Sequence, residues 1–270
     1  MKKALTIAGS DSSGGAGIQA DIKTFQELGV YGMTALTVIV AMDPHNNWNH
    51  QVFPVEIDII KAQVETIIAG IGVDAMKTGM LPTSEIIEMA AFAVKKHKMS
   101  NVVVDPVMVC KGAGVPLNPE NTECYKKTLL PLAAVVTPNI FEASQLSGIE
   151  TIETVDDMKE AAKIIHGLGA KYVVIKGGKG ISSDIAVDVV YDGNEITLLQ
   201  SPKTDTTYTH GAGCTFSAAI TAQLAKGEAV HSAISTAKDF ITEAIKHSFH
   251  LNQYVGPTHH GAYRVLNSTK

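Results

Sequence analysis

Along most of the chain, short runs of β-branched and other apolar residues alternate with segments of helical period, and that alternation leaves few folds open. Runs of this kind, each followed by a helix-length stretch, are the pattern of βα units on a parallel sheet. The expected strands are Ala4–Ala8, Thr34–Ala41, Ala75–Thr78, Val102–Asp105, Val135–Thr137 and Tyr172–Lys176. Helices are expected over Ile18–Leu28, Val55–Ala69, Ser84–His97, Pro119–Leu130, Phe141–Leu146 and Val155–Leu168. After Lys176 the pattern changes: Ala186–Tyr191 and Glu195–Leu199, separated by Asp192-Gly193-Asn194, read as an antiparallel hairpin at the sheet edge. The last third is helical, over Thr215–Ala225 and Glu228–Lys246, and the tail from Leu251 carries little periodic signal. Without a repeat, linker or low-complexity stretch, residues 1–270 are expected to form a single domain.

Charge and cysteine usage narrow the class. A net charge of -5 with scattered lysines gives no basic stripe for nucleic acid. The four-residue apolar run near the N-terminus is too short for a signal peptide, and nothing approaches membrane-spanning length. Cys110, Cys124 and Cys214 have no disulfide or zinc spacing, so they read as reduced thiols, which places the chain in the cytoplasm.

In open α/β sheets ligands bind beyond the carboxyl ends of the strands, and the polar residues cluster there. After the first strand comes Gly9-Ser10-Asp11-Ser12-Ser13-Gly14-Gly15-Ala16-Gly17. It lacks the GxGxxG spacing of a dinucleotide loop, and Asp11 suits a hydroxyl or ring nitrogen better than a pyrophosphate; it reads equally as a helix-capping aspartate. A second cluster, Thr209-His210-Gly211-Ala212-Gly213-Cys214-Thr215, precedes an Ala-rich helix. Its glycines let N–H groups converge and the helix start adds positive potential, which makes an anion hole. Cys214 there is expected to have a lowered pKa and to act as a base on a substrate hydroxyl; beside Ala and Phe it also reads as core packing. Asp105-Pro106, Pro138-Asn139 with Glu142, and Lys176-Gly177-Gly178 complete the row of strand ends. Two carboxylates, an amide and an ammonium are the groups needed to hold Mg²⁺ through water and to neutralise a moving phosphoryl group.

Six motifs in this order resemble the ribokinase-like vitamin kinases of the hydroxymethylpyrimidine kinase and pyridoxal kinase group. They are Ala8–Asp11 with Ser13–Asp21, Lys77-Thr78-Gly79-Met80, Asp105-Pro106-Val107-Met108, Thr137-Pro138-Asn139 with Glu142, Lys176-Gly177-Gly178, and His210–Cys214. The resemblance implies a three-layer α/β/α fold with a central, mostly parallel sheet and an antiparallel edge hairpin. It implies a homodimer, with ATP and Mg²⁺ as cofactors. Asp11, Met42, Met80, Val107, Cys110 and His210 would face the substrate, and Asp105, Asn139, Lys176, Thr209, Gly211 and Gly213 the nucleotide. Asp105 and Glu142 would hold the metal. Gly211, Ala212 and Gly213 form the anion hole, and Cys214 stands where most ribokinase-like enzymes carry an aspartate base.

Two departures bear on the substrate. Where hydroxymethylpyrimidine kinases carry a glutamine that pairs with the pyrimidine, this chain has Met42, which cannot make that pairing. Cys110, in Val109-Cys110-Lys111-Gly112-Ala113-Gly114, expected to form a flap, takes the place of an alanine and can add reversibly to an aldehyde. Both point to phosphorylation of the hydroxymethyl group of pyridoxal, with pyridoxine and pyridoxamine as further substrates. Hydroxymethylpyrimidine or its phosphate is the alternative substrate, as a sole or second activity. A sugar kinase would carry Gly-Ala-Gly-Asp and an early β lid. An NAD enzyme would need GxGxxG, and a non-catalytic sensor would release no ADP.

Overall fold

The computed structural model describes residues 1–108, 119–178, 180–181 and 184–267. Among these residues nine strands build one sheet: β1 (Lys3–Asp11), β2 (Tyr31–Asp43), β3 (Asn49–Pro54), β4 (Ala75–Thr78), β5 (Val102–Val104), β6 (Val135–Val136), β7 (Tyr172–Lys176), β8 (Ile185–Tyr191) and β9 (Ile196–Pro202). Their spatial order is β3-β2-β1-β4-β5-β6-β7-β8-β9. The six strands from β2 to β7 in that order run parallel, as the alternating pattern requires. The hairpin β8–β9 is antiparallel and joins β7 at one edge, as expected.

At the other edge β3, a strand absent from the sequence pattern, pairs antiparallel with β2. The reason lies in its burial: Asn49–Pro54 is largely exposed, so it carries no apolar alternation, and backbone pairing alone holds it to β2. Pro54 ends it, where a missing N–H costs no ladder bond.

The helices are α1 (Gly17–Glu27), α2 (Ile57–Glu65), α3 (Ser84–Lys96), α4 (Pro119–Cys124), α5 (Ile140–Ser147), α6 (Val155–Gly167), α7 (Ala212–Lys226), α8 (Val230–Lys246) and α9 (Ala262–Asn267). Side-chain oxygens start several of them. Thr83 accepts from the Ile86 N–H at 3.3 Å, and Thr154 and Asp157 form a reciprocal capping box. Helices α2 to α6 cover one face of the sheet, burying Ile60, Ile87, Leu146, Met158 and Ile165 against Leu5, Met76, Val104 and Val173. Helices α1, α7 and α8 cover the other, packing Phe25, Phe216, Ile220 and Phe240 on Ala4, Ala75, Val103, Val135, Val174 and Val190. Each such side chain removed from water contributes about 1.5–3 kcal/mol, Ala less.

Two expectations at the chain's end are corrected. Helix α7 starts at Ala212, not Thr215, so Gly213 and Cys214 belong to its first turn. The tail, despite its weak periodicity, is anchored: Val255, Thr258 and His260 are buried, and the backbone N–H of His210 donates to Gly256 O at 3.1 Å.

Candidate active site

Period-two alternation places every second strand residue on the face beneath α1, α7 and α8, and there the apolar run ends in polar residues. On β4 Ala75 is followed by Lys77; after Val103 comes Asp105; after Val135, Thr137; after Val174, Lys176; and on β8 Val190 is preceded by Asp188. The edge of the sheet at which the parallel strands end, joined by Asp188 of the antiparallel β8, thus carries acids, ammonium groups and hydroxyls over a core of small apolar residues. A cavity of about 450 Å³ opens above them.

Asp105, 2% exposed, is the most heavily bonded member of this row. Its Oδ1 accepts from Lys176 Nζ at 3.1 Å and Thr137 Oγ1 at 3.2 Å, and its Oδ2 from Ser217 Oγ at 3.1 Å. The bonding fits an acid held rigid at the site and not a turn residue. Lys176 is likewise no solvated surface lysine. Its ammonium lies against the first turn of α7, where a Cβ on Gly213 would come within 3.3 Å of Nζ. Glycine there lets the cation reach the loop.

Helix α5 begins at the same place. Asn139 Oδ1 accepts from the Glu142 N–H at 2.9 Å, and Glu142 Oε2 accepts from the Asn139 N–H at 2.8 Å. Both residues expected at the phosphates therefore also cap the helix. Burial pushes the Glu142 carboxyl up to about 7, against the pull of Lys176. Among the described residues no cluster of three or more His, Cys, Asp or Glu is placed to hold a metal. Asp105 and Glu142, two of the carboxylates that line the cavity, form a donor set that suits Mg²⁺, which keeps several waters and takes one or two carboxylates plus phosphates.

Across the cavity, the loop after β1 is wound around Asp11. Its Oδ1 accepts from the Ser13 N–H at 2.8 Å and its Oδ2 from the N–H of Ala16, the residue before α1, at 2.8 Å. His210 Nε2 lies 2.7 Å from the same Oδ2. Burial raises the Asp11 carboxyl, but His210 and Ser13 outweigh it and hold it at about 2. Asp11 thus ties the loop together ahead of the helix and stands on the cavity wall, but it does not cap α1, whose first turn receives no side-chain bond. The His210 ring packs on Gly15, and Gly211, with φ of 79°, sits so close that a Cβ would fall on the Gly15 carbonyl. A side chain at either glycine would separate the two loops.

Gly211, Ala212, Gly213 and Cys214 line the cavity at the start of α7, as do Thr209, His210, Met80 and Val107. Met42 does not: Val40 and His50 line that wall, and Met42 pairs with His50 one step farther along the hairpin. Cys110 lies outside the described residues.

The surroundings of the half-buried Cys214 do not favour the low pKa expected of it. Burial pushes the thiol up to about 11, against the pull of Lys77 and of the Gly17 N–H directed at it, while Asp21 and Asp105 push it further up. A helix start lowers a thiol's pKa only where the thiolate is solvated or paired, and here buried carboxylates stand nearby.

The sequence reading assigned no role to several groups that shape this cavity. Lys77 and Asp21 form a wholly buried ion pair at 2.7 Å, and Asp21 also accepts from Thr6 Oγ1 at 2.6 Å. Lys238 on α8 pairs with Asp188 at 2.8 Å. His50 joins the wall from β3, and burial pushes its imidazole down. Lysine or aspartate inside an apolar strand run, as in Ala75–Thr78 and Ala186–Tyr191, was the available signal. Beyond Lys238 the cavity is walled by Ala186, Pro202, Phe216, Ile241 and Ile245, an apolar slot.

Comparison with known proteins bears directly on this geometry. Residues 11–259 match the family described as phosphomethylpyrimidine kinase. The chain is 67% identical over 265 residues to the pyridoxine kinase of Bacillus subtilis strain 168, covering 98% of each chain. It is 42% identical over 270 residues to the hydroxymethylpyrimidine/phosphomethylpyrimidine kinase of the same organism, covering 99% of this chain and 98% of the other. The ADP complex of Bacillus subtilis pyridoxal kinase superposes with a TM-score of 0.95 at 67% identity, covering 98% of this chain and 99% of the other. The Staphylococcus aureus pyridoxal kinase in complex with AMP-PCP and pyridoxal superposes with a TM-score of 0.92 at 50% identity, covering 97% and 95%.

Proposed function

The chain belongs to the phosphomethylpyrimidine kinase family, and from that premise we propose that residues 1–270 form one kinase domain whose described cavity transfers the γ-phosphoryl group of ATP to the hydroxymethyl group of pyridoxal. The enzyme is a pyridoxal kinase, acting also on pyridoxine and pyridoxamine, and the more distant hydroxymethylpyrimidine kinases mark the lesser reading. The observation that carries the residue assignment is the meeting of Asp105, Lys176 and the first turn of α7 at one point of the cavity.

Adenine enters the apolar slot of Pro202, Phe216, Ile241 and Ile245, which brings the phosphates over Lys176 and the N–H groups of Gly211 to Gly213. Asp105 holds the Lys176 ammonium in place, and Asn139 and Thr209 border the same stretch. Mg²⁺ near Asp105 and Glu142 would neutralise phosphate charge. The substrate ring lies toward Asp11, Met80, Val107, His50 and His210, with its hydroxymethyl group at Cys214. Cys214 rests as a thiol and receives no help from a solvated helix start, so positioning and charge neutralisation supply most of the rate. Proton removal contributes on the order of 10²-fold or more. Cys110 is assigned its aldehyde-capturing role from sequence alone. The same reading takes the enzyme as a cytoplasmic homodimer; no described helix is long and apolar enough to cross a membrane.

ADP release with pyridoxal, pyridoxine and hydroxymethylpyrimidine supplied separately tests the proposal. Faster turnover of both vitamin B6 forms is expected. Preference for the pyrimidine would reverse the substrate assignment, and no ADP with any of the three would leave only a binding protein.

A further inference from the structure

Asp188 occupies an unusual position for an acid. In the β7–β8 ladder it lies directly opposite Lys176, on the same face of the sheet, where cross-strand side chains come within about 5 Å. An acid and a lysine so placed attract one another, and the lysine would bend toward its sheet neighbour. The structure shows otherwise. Lys176 Nζ reaches Asp105 at 3.1 Å, and Asp188 turns to other partners: its Oδ1 accepts from the Gly177 N–H at 3.1 Å and its Oδ2 from Lys238 Nζ at 2.8 Å.

Lys238 comes from α8, on the stripe Lys238, Ile241, Thr242, Ile245 that walls the apolar slot. Its side chain is 11% exposed and that of Asp188 10%, so neither charge is cheaply solvated. A lone ammonium on an otherwise uncharged stripe has one evident effect here: it cancels the charge of Asp188.

We propose that Lys238 is a positioning residue for phosphoryl transfer, which by neutralising Asp188 leaves the Lys176 ammonium to Asp105 and the nucleotide phosphates. The inference rests on the reading of Lys176 as a phosphate contact. Two acids and two lysines form two separate pairs, and the second pair exists to keep the first aimed at the cavity. The backbone assists: a Cβ on Gly177 would collide with the Val187 carbonyl, so the chain after Lys176 lies tight against β8 and the Gly177 N–H fixes the Asp188 carboxylate from behind.

The test is steady-state kinetics with ATP and pyridoxal on Lys238→Met, Lys238→Gln, Lys238→Met/Asp188→Asn and Lys176→Met, each checked for its melting temperature. Lys238→Met should lower kcat/KM for ATP about 10- to 100-fold, the scale for a displaced catalytic contact, and leave KM for pyridoxal near its starting value. Lys238→Gln still donates a hydrogen bond to Asp188 but leaves its charge, so it too should be impaired; a wild-type Gln variant would reduce Lys238 to packing and overturn the proposal. The charge-balanced double variant folds without an unpaired acid and should regain most of the loss. Failure of that recovery in a folded protein also overturns it. Lys176→Met separates the two readings: if it turns over normally, the phosphate role of Lys176 falls and this inference with it, whereas an impaired Lys176→Met beside a normal Lys238→Met removes this inference alone.

Discussion

Replacing Lys77 by methionine should cost the fold more than most substitutions in this chain, and the cost should depend on pH. Lys77 and Asp21 are both fully buried, with Nζ and Oδ1 2.7 Å apart. Methionine keeps the length of the side chain and removes the charge, so Asp21 is left with the Thr6 hydroxyl as its remaining partner in that pair's network. Breaking a buried pair on one side costs about 3–5 kcal/mol. At about 2–4 °C per kcal/mol for a domain of this size, the melting temperature falls by about 6–20 °C. Burial already raises the Asp21 carboxyl above its ordinary value, and Lys77 is the largest pull against that rise. In the variant the folded protein therefore holds the Asp21 proton to higher pH than the unfolded chain. A folded-state pKa above the unfolded one means stability that is present in acid and lost as pH rises through the folded value. Urea unfolding at pH 5 and pH 8 should accordingly show the larger deficit at pH 8, and adding Asp21→Asn should recover most of it at both. A deficit below about 1 kcal/mol, equal at the two pH values, would mean that the pair is not desolvated as described.

Gly211→Ala places a Cβ on the Gly15 carbonyl at a φ of 79°; the left-handed backbone costs about 1–2 kcal/mol, and the larger effect should be a loss of turnover on the order of 10²-fold as the two loops part, with a normal kcat refuting the interlock. Cys214→Ala should bind AMP-PCP normally in calorimetry while kcat falls on the order of 10²-fold or more, and near-normal turnover would end its assignment as the base. His260, pushed down to about 4 by burial beside Thr215, stays neutral in the fold, so its contribution is present above the ordinary histidine value near 6.5 and is lost as pH falls toward 4. His260→Gln should flatten the stability profile across that window by up to about 1.4 kcal/mol per pH unit; an unchanged slope would assign acid unfolding to other groups.

The parallel core of the fold was readable because its strands are buried on both faces. Ala75–Thr78 and Tyr172–Lys176 match the expected strands residue for residue, since each is a short apolar run between helical segments. Strand β3 was not readable for the opposite reason: exposed on most of its length, it owes its form to the partner strand and not to its own pattern. The tail behaves likewise, its Gly256 packed against the Tyr208 ring and its His260 set beside Thr215 of α7, contacts that exist only once the rest is folded. The early start of α7 follows from Gly211, whose left-handed φ makes it the residue before the helix; the apolar pattern begins three residues later.

Within the site, motif reading found the residues at strand ends and missed those one turn or one strand away that set their charge. Asp105 and Lys176 stand at the ends of their strands, where ligands of such sheets bind. Lys77 and Asp188 stand inside their strands, and a sequence offers no way to see that a lysine at one position meets an aspartate 56 residues earlier, or that an acid faces Lys176 yet bonds to a helix 50 residues on. The Cys214 error has the same origin. A helix start is a local feature and predicts a low thiol pKa; the burial of the thiol, with Asp21 and Asp105 beside it, is non-local and wins. What decides the chemistry of this cavity is therefore the balance among charges contributed by β4, β7, β8, α1, α8 and the residue after β5, and those inside strands, Lys77 and Asp188, each read alone as a misplaced polar residue in an apolar run.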